Sequence, residues 1–138
     1  MNGAPNWNVG DRFEERELPP IGRLQLIKYA GASGDYNPIH LIDEAAGEAG
    51  LPGVIAHGML TVVAMSLLFS PYLEHGYVKY FSSRFSGLVF VGDELRGGGW
   101  MTGSETTDEG RLCTFEVYAR KGEETAATTT AGFLVYEG

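Results

Sequence analysis

The residues of this chain best suited to chemistry lie in one short loop, GDYNPIH, residues 34–40. Asp35 and His40 stand five positions apart with Pro38 between them. Proline fixes its own φ and pushes Asn37 out of the helical region, so the side chains are held in set directions. A carboxylate can accept hydrogen bonds from water, and histidine is the side chain that titrates nearest neutrality. Held close together, the two could share one water and deprotonate it, the work of a general base. The plainer alternative is an Asx-turn followed by a satisfied surface histidine.

A second stretch, GVIAHGMLT at residues 53–61, opens the most apolar segment of the chain. If a helix begins near His57 and Gly58, its first N–H groups lack intrahelical partners and carry the positive end of the dipole. Gly58 has no side chain, so a carbonyl oxygen could approach its N–H and be stabilised there as it becomes negative. The alternative is a helix start in which glycine permits close packing.

Other reactive residues fit their surroundings as structure. The spacings of His40, His57, His75 and Asp35 match no metal-ligand pattern, so no metal is expected. Cys113 is the only cysteine and falls on the apolar face of a strand, which makes it core. Ser66 lies mid-helix without a Gly-x-Ser-x-Gly elbow. Met59 and Met65 read as core, and Glu14-Glu15 and Glu123-Glu124 as solvated faces.

The elements that would carry these residues follow from periodicity. Residues 1–8 form a flexible lead-in, and Phe13 to Leu18 a short strand stopped by Pro19-Pro20. After Gly22, RLQLIKYAGA puts Leu24, Ile27 and Ala30 or Gly31 on one side of a helix that the loop then ends. Asp43 is a candidate N-cap for the short turn EAAGEAG. Residues 56–70 are apolar almost all round, so that helix should be enclosed. The second half holds YVKYFSSRF, ELRGGGWMTGSET, RLCTFEVYAR and TAATTTAGFLVY, rich in β-branched and aromatic residues. Cys113, Phe115, Val117 and Ala119 alternate with Leu112, Thr114, Glu116 and Tyr118, the period of a half-buried strand. Turns at 91–93, 108–110 and 121–123 predict an antiparallel meander. The fold class is therefore α+β, a curled antiparallel sheet around one helix, whose open edge invites dimerisation.

Composition bounds the partners. The 138 residues are 43% hydrophobic and 20% charged, enough for one domain with a real core. A formal charge of −8 with no basic cluster argues against nucleic acid. The apolar stretch is too short to span a bilayer, and no signal-peptide pattern opens the sequence, so the expected location is the cytoplasm.

Taken together, YAGASGDYNPIH, GLPGVIAHGML and YFSSRFSGLVFVGDEL resemble the MaoC-like dehydratases, or hydratase 2 family, over roughly residues 8 to 136. The family contains (R)-specific enoyl-CoA hydratases and the dehydratase subunits of mycobacterial-type fatty acid elongation. The resemblance implies a single hotdog domain over 1–138, a long central helix wrapped by a curved sheet, paired as a homodimer, dimer of dimers or heterodimer with a related subunit. It also implies Asp35 and His40 as catalytic pair, Gly58 as oxyanion donor, Asn37 as shaper of the turn and Ser66 as a supporting residue near the aspartate. The implied reaction is reversible hydration of a trans-2-enoyl thioester to a (3R)-3-hydroxyacyl thioester. Coenzyme A or acyl carrier protein enters only as part of the substrate, and no cofactor is needed. Lys79, Arg84 and Lys121 are candidates for the CoA phosphates. A hotdog thioesterase and a non-catalytic acyl-binding subunit are the alternatives; retention of both Asp35 and His40 argues against each.

Overall fold

Strand β4, Gly110–Lys121, organises the molecule. Its alternate residues Cys113, Phe115, Val117 and Ala119 are all at most 1% exposed, as their period requires. The computed structural model describes residues 5–136. Around β4 lie β1 (Arg12–Glu17), β2 (Gly76–Phe85), β3 (Arg96–Thr106) and β5 (Glu124–Tyr136), in the order β1-β3-β4-β5-β2, every neighbouring pair antiparallel. Only β3, β4 and β5 form the expected meander. Strand β2 pairs with β5, not β3, because the ten residues 86–95 are a crossing rather than a hairpin. Gly92 (φ +89°) turns the chain within that crossing. Its neighbours Phe90 and Asp93 close on one another, with Asp93 N donating to the Phe90 carbonyl (3.1 Å) and Phe90 N to Asp93 Oδ2 (2.8 Å). The free edges are β1 and β2.

The helices are α1 (Arg23–Ser33), α2 (Asp43–Glu48) and α3 (Gly58–Ser66), and α3 runs on into a 3-10 helix at Leu67–Tyr72. The long α-helix expected over 56–70 is thus two pieces. Pro71 lacks an N–H and crowds the carbonyl four residues back, which ends α geometry. That carbonyl, of Leu67, takes the Arg16 guanidinium instead (2.6 Å). Met65 and Phe69 are fully buried against the sheet, but Met59 faces solvent, contrary to its reading as core.

Three other expectations are corrected. Trp7 is buried, packing edge-on against Tyr72, Phe115 and Phe133, so residues 5–8 are no loose lead-in; residues 1–4 lie outside the described residues. Helix α1 buries Leu26 and Ala30, four apart, while Leu24 and Ile27 are exposed. Asp43 is the first residue of α2 and not its cap; Ile42 holds the cap position, and Asp43 pairs with Arg23 at 2.6 Å.

Glu15 is likewise no solvated face. Its carboxylate receives Arg120, Arg96 (3.0 Å) and the Tyr118 hydroxyl. Hydrogen bonds from Arg120 first, then Tyr118 and Arg96, lower its pKa to about 2.

Candidate active site

Helix α1 stops at Gly34, whose left-handed backbone (φ +77°) suits glycine and whose N–H returns to the Ala30 carbonyl (2.9 Å). The loop beyond is built from two consecutive side-chain turns. Asp35 Oδ1 accepts from Asn37 N (3.3 Å), and Asn37 Oδ1 accepts from Ile39 N (3.2 Å). Asn37 thereby caps a 3-10 turn, Pro38–His40, with proline in its first position. Asn37 is non-helical (φ −56°, ψ 124°), as the following proline requires, and the chain bends just beyond it. That bend points a buried His40 back at a half-exposed Asp35.

His40 Nε2 lies 3.7 Å from Asp35 Oδ2. This is too long for a direct hydrogen bond. The other ring nitrogen, Nδ1, is 2.8 Å from the Ile55 carbonyl. A carbonyl only accepts, so Nδ1 carries the hydrogen, and in the neutral ring Nε2 is a lone pair facing the carboxylate. A base and an anion at this separation can hold a water between them.

The strand-like segment 54–57 ties this loop to α3. Ile55 N donates to the Ile39 carbonyl (3.1 Å), and Ala56 N donates to the Val89 carbonyl in the β2–β3 crossing (2.7 Å). His57 follows, buried, with Nε2 donating to the Asp35 carbonyl (3.0 Å). Its ring stacks on His40 (centroids 3.9 Å apart, planes at 24°) and meets Tyr29 of α1 at 4.7 Å. Gly58 comes next, as first residue of α3, so its N–H belongs to the unpaired first turn. A Cβ on Gly58 would lie 3.0–3.2 Å from the ring of Phe85, at the end of β2. A side chain at 58 would therefore press on the half-exposed Phe85 ring, and Gly58 itself is exposed.

The loop and the helix start therefore converge: Asp35, Asn37, His40 and Gly58 are linked through His57. Ser66 is the last residue of α3, and its hydroxyl donates to the Val63 carbonyl (2.6 Å). Lys79 is paired with Glu109 (3.1 Å), and Lys121 with Asp93 (3.2 Å) and the Leu88 carbonyl (2.6 Å), so neither is a free cation for phosphate. Among the described residues Arg84 has no ion-pair partner.

His57 escaped the sequence reading as a site residue; its one signal was its place directly before Gly58. Ligand atoms of Asp35, His40 and His57 come within 4.8 Å of one another. Within that cluster His57 Nε2 and His40 Nδ1 are each bonded to a carbonyl, and His57 Nδ1 is buried without a partner.

Residues 6–123 match the family described as MaoC like domain. The chain is 32% identical over 128 residues to the peroxisomal enoyl-CoA hydratase 2 of Arabidopsis thaliana, covering 91% of this chain and 37% of that protein. It superposes on the (R)-hydratase from A. caviae involved in PHA biosynthesis with a TM-score of 0.82 and 25% identity, over 96% of this chain and 99% of the other. The ChsH1–ChsH2 complex from Mycobacterium tuberculosis shares the fold, with a TM-score of 0.75 at 18% identity over 91% of this chain and 89% of that one. The chain spans 52% of the length, or less, of the first curated relatives it matches. Among the described residues no helix is long and apolar enough to cross a membrane.

Proposed function

This chain belongs to the MaoC-like domain family, and from that premise we propose that it is a hydro-lyase acting on enoyl thioesters. The reaction is reversible hydration of a trans-2-enoyl-CoA or enoyl-carrier-protein thioester to the (3R)-3-hydroxyacyl thioester, in fatty acid or related acyl-thioester metabolism. The observation that carries the reading is the 3.7 Å gap between His40 Nε2 and Asp35 Oδ2, with the lone pair turned into it.

In the forward direction, a water held by Asp35 gives a proton to His40 Nε2 as its oxygen bonds to C3. The C2–C3 π electrons move toward the thioester carbonyl, whose oxygen becomes an enolate. The Gly58 N–H stabilises that charge, a contribution of about 3 kcal/mol for one such donor. The proton held by the pair then goes to C2 and restores the carbonyl. Water is added and nothing is oxidised or reduced overall, so the step calls for no redox cofactor.

Hydrolysis of the thioester would need the activated water aimed at C1 instead of C3, and the family to which the chain belongs favours hydration. Free edges at β1 and β2 support assembly as a homodimer, a dimer of dimers or a heterodimer with a related subunit. The single, buried thiol of Cys113 accords with a cytoplasmic setting.

The test is purified protein with crotonyl-CoA, following loss of the conjugated enoyl thioester and resolving the product on a chiral phase. Hydration to the (R) alcohol is expected. No hydration, or an (S) product, overturns the reading.

A further inference from the structure

Among the described residues, two buried side-chain polar atoms lack a hydrogen-bond partner, Trp7 Nε1 and His57 Nδ1. The second adjoins the site. His57 is only 2% exposed, and its Nε2 lies 3.0 Å from the Asp35 carbonyl, which can only accept. The hydrogen therefore sits on Nε2, and in the neutral ring Nδ1 keeps a lone pair that nothing satisfies. A buried acceptor without a donor costs stability, and an apolar side chain of similar size would avoid the cost. What the imidazole supplies in return is the Nε2–H.

That bond ties Asp35 itself to the Ile55–Gly58 segment, which the loop also meets through Ile55 N on the Ile39 carbonyl and His40 Nδ1 on the Ile55 carbonyl. The other hydrogen bonds of Asp35 are local, from its N to Ser33 Oγ (3.2 Å) and from Asn37 N to its Oδ1 (3.3 Å). His40 is already held on the same segment through the Ile55 carbonyl and is stacked on the His57 ring. Resting on the hydratase reading above, we propose that His57 is the positioning residue of this site. Through the Asp35 carbonyl it sets the gap in which the water is held between Asp35 and His40, and it keeps that gap in register with the Gly58 N–H one residue on.

The experiment compares His57→Leu with His57→Gln, since the glutamine amide places a donor near the position of histidine Nε2. The leucine variant should lose turnover by about 100-fold, the scale of a misplacement near 1 Å, with KM little changed. Glutamine should recover most of that loss, and the leucine variant should melt no lower than wild type. Wild-type turnover with leucine, an equal loss with glutamine, or a loss carried by KM would each overturn the proposal. A long-range proton–nitrogen spectrum of wild type at mildly alkaline pH adds a readout free of activity. It should show His57 as the Nε2–H tautomer and His40 as the Nδ1–H tautomer. His57 found as the Nδ1–H tautomer overturns the inference even if the variants do not fold. A protein that hydrates no enoyl thioester would instead fail the functional reading, and the spectrum would still decide the bond.

Discussion

Glu15 and Asp35 are both carboxylates beside cationic or basic side chains, and they are built to opposite ends. Glu15 is saturated. Two guanidinium groups and a phenol from β3 and β4 close on it, and they bring its pKa to about 2. Asp35 takes one long backbone bond and faces a histidine it does not touch. A carboxylate whose lone pairs are all used can hold strands together but has nothing left for a substrate. Near-contact without contact is what leaves space for a reacting water.

The sharpest way to break this contrast is to neutralise both acids. Asp35→Asn or His40→Ala should lower kcat for crotonyl-CoA by about 10²–10⁴-fold, the usual range for a positioned acid or base, with little change in melting temperature. Glu15→Gln should leave turnover nearly untouched. Gly58→Ala comes next. Its methyl would press on the Phe85 ring, and kcat should fall by roughly tenfold through displacement of the helix start. Adding Phe85→Leu should restore most of the loss; a double variant as slow as the single one would mean that the substrate alone requires the glycine. Asn37→Ala removes the cap of the Pro38–His40 turn and should cost about 1 kcal/mol in denaturant unfolding. The smallest effect belongs to the saturated carboxylate. Because the folded pKa of Glu15 is lowered from 4.5 to about 2, its contribution is present above the unfolded value and is lost as pH falls between them. Unfolding midpoints against pH should show that acid limb in wild type and a shallower one in Glu15→Gln.

Local pattern made part of this molecule readable. The alternation in β4 located its buried face residue by residue, because a strand with one face on a core has only two phases. The loop was readable because Asp, Asn and Pro each act on the backbone within two or three positions. Helix α1 was not, since Leu24, Leu26 and Ile27 offer apolar residues on several sides and packing alone chose Leu26. Glu15 has partners 81 and 105 residues away, and nothing local marks a charge as shared across three strands. The same distance hid the β2–β5 pairing and the bond from His57 to Asp35, 22 residues apart. Trp7 had no periodic companion, so its burial came as a property of the whole core.

The acceptor that decides where the hydrogen sits on His40 is the main-chain oxygen of residue 55. Every amino acid supplies that oxygen. Drift at position 55 can therefore change the size of the side chain packed there without moving the hydrogen on the base. The tautomer is inherited from the course of the backbone, and the chemistry is buffered against point mutation at the residue that controls it.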